Sequence, residues 1–253
     1  MSPDLAGDLA TGLDPARLLY AFGLVPEPWQ EGLLRQRPGR ALVCCCRQAG
    51  KSTAAAAAAA HEALYSPGSL SLIVAPSQRQ SNELLRVVRG MLAVIGPPRR
   101  VSGDAQQMIE LRNGSRVVSL PGRDDTIRGF ASVALLALDE AAWIEDELYY
   151  AVRPMLAVSG GRLLALSTPN GQRGWFYREW ETGQGWQRTR ISASQCSRIP
   201  AAFLAEERRA MTAVRYAAEY ECEFSDAIDA VFRTADINAT LDPELPALPP
   251  QGW

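Results

Sequence analysis

The stretch CCCRQAGKST, Cys44–Thr53, decides how the rest of the chain is read. It holds the only lysine among 26 basic side chains; all the others are arginine. A bias toward arginine across a chain reflects composition rather than function, but it leaves the exception unexplained. Lysine is a compact point charge and arginine a wide planar fork. A lysine in a Gly-Lys-Ser turn fits between the terminal phosphates of a nucleotide, where a guanidinium is too broad. The stretch therefore reads as a phosphate-binding loop, made by Arg47, Gln48, Ala49, Gly50, Lys51, Ser52 and Thr53. Its first glycine is missing, since Cys45 stands in that place.

The flanks agree with this reading. Arg40 to Cys45 is short and apolar, as a buried parallel strand would be. Behind the loop come seven consecutive alanines, Ala54 to Ala60, then His61, Glu62, Ala63 and Leu64. Alanine is the best helix former. Strand, loop and helix in that order point free N–H groups of the helix N-terminus at the phosphates. His61, within the alanine helix, reads as structural.

Length and composition narrow the class. The chain has 253 residues, 47% hydrophobic and 21% charged, enough for one large domain or a domain with a small appendage. A net charge of −2 gives no global basic field, so any DNA contact must come from a local patch. Five cysteines, three of them adjacent, match neither a disulfide framework nor zinc spacing and read as reduced, buried thiols of a cytosolic protein. The first residues lack a signal peptide's pattern, and no apolar run has membrane-spanning length, so no membrane partner is expected.

Further along, Ser69 to Ala75 reads as a second strand and Ser77 to Ile95 as an amphipathic helix ending at Gly96-Pro97-Pro98. MIELR, Asn113-Gly114 and SRVVSL form a hairpin signal. Val133 to Leu138 and Arg162 to Ser167 are two more buried strands. Beyond Trp186 the pattern turns helical and polar, and PELPALPP, Pro243 to Pro250, reads as a linker or the cut end of a longer protein. Strands alternating with helices predict an α/β fold with a mainly parallel sheet flanked by helices.

Hydrolysis needs a magnesium ion and a group that positions water. Val133 to Leu138 ends in Asp139-Glu140, at the sheet edge where ligands bind. Asp139 is expected to hold Mg2+ together with the Ser52 hydroxyl, and Glu140 to orient the attacking water. Ser167 and Thr168, at the end of the next strand, are placed to sense the terminal phosphate or its water.

In these pieces the chain resembles the ATPase domain of the large terminase subunit, the DNA-packaging motor of tailed bacteriophages and prophages. Trp29-Gln30 in PEPWQEGLL resembles the family's adenine-recognition segment, CRQAGKS its phosphate loop without a first glycine, LLALDEAAWI its carboxylate segment and LLALSTPNGQRGWFYREW its coupling motif. Tyr216 to Phe224 resembles its lid. The resemblance runs from about Pro26 to about Phe232. It implies a P-loop NTPase of the additional-strand, RecA-like type: an ATPase core over 1–180, a helical lid over 181–235 and a linker over 236–253 toward a nuclease domain. No DNA cleavage is expected from this chain.

The resemblance also implies ATP and Mg2+ as cofactors, with double-stranded DNA, a portal protein and a small terminase subunit as partners. A ring is implied on assembly, a monomer alone, and the bacterial host's cytoplasm as the location. Gln30 is expected to read the adenine edge, its competing role being a helix cap beside a buried Trp29. Arg47 is expected to reach a phosphate or Glu140. An arginine supplied in trans is sought first at Arg128, then at Arg99 and Arg100, with Arg123, Arg112 and Arg116 behind them. Arg112 and Arg116, at the hairpin turn, and Arg99 and Arg100 are candidates to face DNA phosphates. A helicase-like or switch-type P-loop ATPase is the alternative.

Overall fold

A computed structural model describes residues 5–95, 101–122, 127 and 129–225. Three helices open it: α1 (Leu5–Leu13), α2 (Arg17–Ala21) and α3 (Pro28–Gln36). Then follow β1 (Arg40–Cys45), α4 (Lys51–Tyr65), β2 (Leu70–Ala75), α5 (Gln78–Ile95), β3 (Val101–Ala105), β4 (Met108–Leu111) and β5 (Arg116–Pro121). The second half brings β6 (Leu135–Asp139), α6 (Asp146–Val152), β7 (Arg162–Ser167), α7 (Gly174–Glu181), β8 (Gln187–Ile191), α8 (Ala201–Ala210) and α9 (Ala213–Tyr216), the last running into a π-helical turn, Ala217–Glu221.

The strands form one sheet in the order β3-β4-β5-β2-β6-β7-β1-β8. The six from β5 to β8 in that order pair in parallel, and β3, β4 and β5 pair antiparallel. One strand, β7, lies between the loop strand β1 and the carboxylate strand β6, which is the additional-strand arrangement expected of the fold. Register brings Cys44 level with Ser167, and Leu166 level with Asp139, so three motif segments leave the same sheet edge.

Helix α4 crosses that edge onto β2, β6 and β7. All eight of its alanines are buried, none more than 3% exposed. A helix that is apolar all round belongs in a core, and the small side chains let it lie close to both the sheet and α5. His61 is buried in it: Nε2 lies 3.2 Å from the carbonyls of Thr11 and Gly12, and Nδ1 lies 3.0 Å from Arg37. Burial and the neighbouring Arg37 hold the imidazole below its usual pKa, in its neutral form. The five cysteines are free and buried.

Two strands escape the sequence reading. β8, QRTRI, alternates half-buried and exposed positions and buries only Ile191, so it carries no apolar run. It pairs with β1, so the core sheet extends past residue 180, and the α-helices of the stretch 181–235 begin at Ala201 among the described residues, after a 3₁₀ turn, Ala193–Gln195. β3 contains Gly103 and Asp104, poor strand formers, and is held at the sheet edge by β4 with a register shift between Val101 and Gly103. The Asn-Gly hairpin is β4–β5, with Glu110 opposite Arg116.

The hairpin turn sits far from the loop. Asn113 Nδ2 donates to the carbonyls of Ala63 and Leu64, at the C-terminal end of α4. That helix is 15 residues long, and at about 1.5 Å per residue it spans roughly 22 Å. Arg112 and Arg116 are exposed at that distant edge. Arg99, Arg100, Arg123 and Arg128 lie outside the described residues, as does the linker expected over 236–253.

Candidate active site

The missing glycine has a local cause. Position 45 is inside β1 with ordinary strand backbone, where any residue fits. The left-handed conformations fall later, at Gln48 (φ 61°) and Gly50 (φ 87°). For Gln48 the left-handed region costs roughly 1–2 kcal/mol. Gly50 is the N-cap of α4, so the helix begins at Lys51, and its first-turn N–H groups have no acceptor within the helix.

Lys51 is 7% exposed, and its ammonium lies 3.4 Å from Glu140 Oε1. Burial pulls the ammonium's pKa down. The carboxylates of Glu140 and Asp139, with Cys45, outweigh burial and hold it above its usual value. Ser52 Oγ donates to Asp139 Oδ2 at 2.6 Å. The other oxygen, Asp139 Oδ1, is buried with no partner among the described residues. Burial above all, then Glu140, raises the Asp139 pKa against the opposing pull of Ser52 and Lys51. A carboxylate oxygen left bare beside a serine hydroxyl fits a hard divalent cation, which takes oxygen ligands. Mg2+ would be held by Asp139 and Ser52.

Glu140 follows directly, in a left-handed conformation (φ 49°, ψ 46°), at the start of a 3₁₀ turn, Ala141–Trp143. Strained non-glycine backbone persists only where the surroundings impose it, and the next strand helps to do so. Ser167 Oγ accepts from the Ala142 N–H at 3.1 Å, and Asn170 Nδ2 donates to the Ala142 carbonyl at 3.1 Å. The segment Ser167 to Asn170 thus grips the turn that aims Glu140. Thr168 is buried beside it.

Two expected residues, Gln30 and Arg47, have partners of their own here, and Trp29 stands next to Gln30 in the chain. Gln30 is 2% exposed. Its Oε1 accepts from the Glu27 N–H, and its Nε2 donates to the Gly50 carbonyl, both at 2.9 Å. Its amide thus caps α3 and holds the loop backbone. Trp29 is half-buried with its indole N–H unpartnered among the described residues. Arg47 turns away from Glu140: its ion pair is with Glu219 at 3.6 Å, and its N–H donates to the Glu219 carbonyl at 2.9 Å.

The sequence reading passed over Asn170, Glu219 and Arg198. Asn170 stood in a quoted motif, and Glu219 in the C-terminal one. Arg198, in QCSRIP, carries no local signal: only the chain's return along β8 brings it to the loop, where its Nη2 donates to the Ala49 carbonyl at 2.6 Å.

The Asp139→Asn variant is expected to raise the melting temperature of the nucleotide-free protein, because burial disfavours the ionised carboxylate. A group whose pKa is raised by folding weighs against the folded state once it ionises, so neutralising it at pH 7 stabilises. The same variant is expected to lose any stabilisation by Mg2+ with nucleotide. Calorimetry with and without those ligands checks both; a lower apo melting temperature contradicts the argument.

Comparison with known proteins places this geometry. The chain is 33% identical to the large terminase subunit of Thermus virus P23-45 over 176 residues, 62% of this chain and 36% of that protein. It thus spans about a third of the curated relatives' length. The ATPase domain of the Thermus phage P74-26 large terminase superposes with a TM-score of 0.70 at 26% identity, over 83% of this chain and 96% of that one. The large terminase of another thermophilic bacteriophage, solved in complex with ADP, shares the fold at a TM-score of 0.60 and 14% identity, over 86% of this chain and 53% of that one. The family model for the N-terminal part of the T4-like-virus-type large terminase subunit matches residues 45–239, and the chain belongs to that family.

Proposed function

We propose that this domain is the ATP-hydrolysing motor of a viral DNA-packaging enzyme, driving double-stranded DNA into a procapsid. The observation that supports it most is the pairing of Lys51 with Glu140 and of Ser52 with Asp139 at one sheet edge. In this reading Lys51 and the α4 N-terminus, with Gln48, Ala49, Gly50 and Thr53, cradle the phosphates. Asp139 and Ser52 would hold Mg2+, which would supply positive charge against the phosphates. Glu140 accepts a hydrogen bond from water and orients it, and Thr168 with Ser167 sits where the outcome is sensed. Trp29, on the first turn of α3, borders the base.

The partners follow from the family: DNA, a portal protein and a small terminase subunit, in a ring, within the host cytoplasm. No described helix is long and apolar enough to cross a membrane. Arg128 is the first candidate for an arginine acting in trans, with Arg99 and Arg100 next; Arg47 would complete the site in cis. Arg99, Arg100, Arg112 and Arg116 are also the candidates for DNA phosphates.

The test measures ATP hydrolysis across protein concentrations, with and without double-stranded DNA. Specific activity is expected to rise with concentration and with DNA, as a site completed by a neighbour requires. Hydrolysis indifferent to both would favour a switch-type ATPase. Absence of any hydrolysis that depends on Lys51 would remove the motor reading.

A further inference from the structure

Two side chains from opposite ends of the chain close on the outside of the loop at consecutive peptides. Arg198 Nη2 donates to the Ala49 carbonyl at 2.6 Å, and Gln30 Nε2 donates to the Gly50 carbonyl at 2.9 Å. Each carbonyl belongs to the same peptide unit as the next residue's N–H. The two bonds therefore act on the peptides that carry the Gly50 and Lys51 N–H groups. A donor on the carbonyl polarises the amide and makes its N–H a stronger donor in turn. The guanidinium does so with a full charge.

Glu27 holds both members of this brace. Its side chain is 6% exposed and lies 3.5 Å from Arg198 Nε. It accepts from Ser197 Oγ at 2.8 Å, and its own N–H donates to Gln30. Gly50 leaves room for the pair. A Cβ there would stand 2.4 Å from Arg198 Nη2 and 2.7 Å from Gln30 Nε2. A glycine at this position thus serves the close approach of two braces as well as the left-handed backbone.

We propose that Arg198 is a positioning residue for nucleotide phosphate: from outside the loop, with Gln30, it fixes and polarises the Gly50 and Lys51 N–H groups that face the phosphates. The inference rests on the phosphate-loop reading above. Arg198 itself touches no phosphate in this scheme.

The experiment measures binding of a fluorescent ADP analogue, and steady-state ATP hydrolysis, for the full chain and its Arg198→Ala, Arg198→Lys and Lys51→Ala variants. Losing one charge-assisted hydrogen bond on the loop is expected to weaken ADP binding about tenfold. KM for ATP should rise by a similar factor, with kcat within about threefold of wild type. Arg198→Lys keeps a donor for the Ala49 carbonyl and should recover part of the affinity. The apo melting temperature of Arg198→Ala should stay close to wild type, since the side chain is partly exposed. Unchanged ADP affinity in Arg198→Ala overturns the proposal. So does a loss that Arg198→Lys does not relieve and that follows a drop in apo melting temperature, which marks a structural role only. If wild type and Lys51→Ala bind ADP equally, the phosphate-loop reading fails first, and the two failures are told apart.

Discussion

Lys51→Ala is expected to reduce ATP turnover by at least about 10²–10³-fold, the scale seen when one preorganised donor is removed from a charge-bearing site, and to weaken nucleotide binding. The fold should survive. The carboxylates around the ammonium outweigh the cost of its burial, so the substitution costs some stability, but its partner Glu140 keeps 29% of its side chain in solvent, where water can replace the lost partner. Lys51→Arg sharpens the case. Its guanidinium can still pair with Glu140, so apo stability should change little, yet the planar fork does not fit the point-charge position between phosphates. Hydrolysis assays beside thermal melts separate the two effects. Turnover within a few fold of wild type in Lys51→Ala would remove the site assignment.

Glu140→Gln should lower turnover by about 10³-fold or more, since the amide cannot polarise water as a carboxylate does, while ATP stays bound. A second effect follows from the 3.4 Å ion pair. In the nucleotide-free protein Glu140 occupies Lys51, and a phosphate must compete for that ammonium. Removing the charge frees Lys51, so ATP should bind Glu140→Gln more tightly than wild type. Filter binding with labelled ATP and single-turnover hydrolysis read the two steps apart. Affinity weaker than wild type would mean that Glu140 supports binding rather than opposing it. The left-handed backbone at Glu140 is unfavourable for glutamine too, so the variant leaves the turn's strain in place.

The core strands and the loop were legible because each carries a local signal. Apolar runs at Leu70–Ala75 and Arg162–Ser167 are buried throughout or nearly so, and Asn113-Gly114 closes a hairpin where the dipeptide says it should. β8 was not legible, because a half-polar strand takes its identity from its neighbour β1 rather than from its own residues. The brace at Arg198 was hidden for the same reason, since it depends on where β8 delivers the chain. Gln30 shows a different limit. An amide can read a base edge or serve a backbone equally well, and its bonds to Glu27 and Gly50 come from the folded chain rather than from a local signal.

Two of the loop's links to the C-terminal half run through main-chain atoms alone. The Cys46 N–H donates to the Ile191 carbonyl and the Arg47 N–H to the Glu219 carbonyl, each at 2.9 Å. Such bonds are indifferent to side-chain identity. A shift of the Ala217–Glu221 turn would therefore reach the phosphate loop as a displacement of peptide planes, whatever residues the two segments carry. Side-chain truncation at Glu219 removes the ion pair to Arg47 and leaves that connection standing. Only a change to the backbone itself cuts it, as when proline at position 47 or an ester in place of that amide deletes the donor. Two related chains could thus differ at the side chains of positions 46, 47, 191 and 219 and keep these two connections.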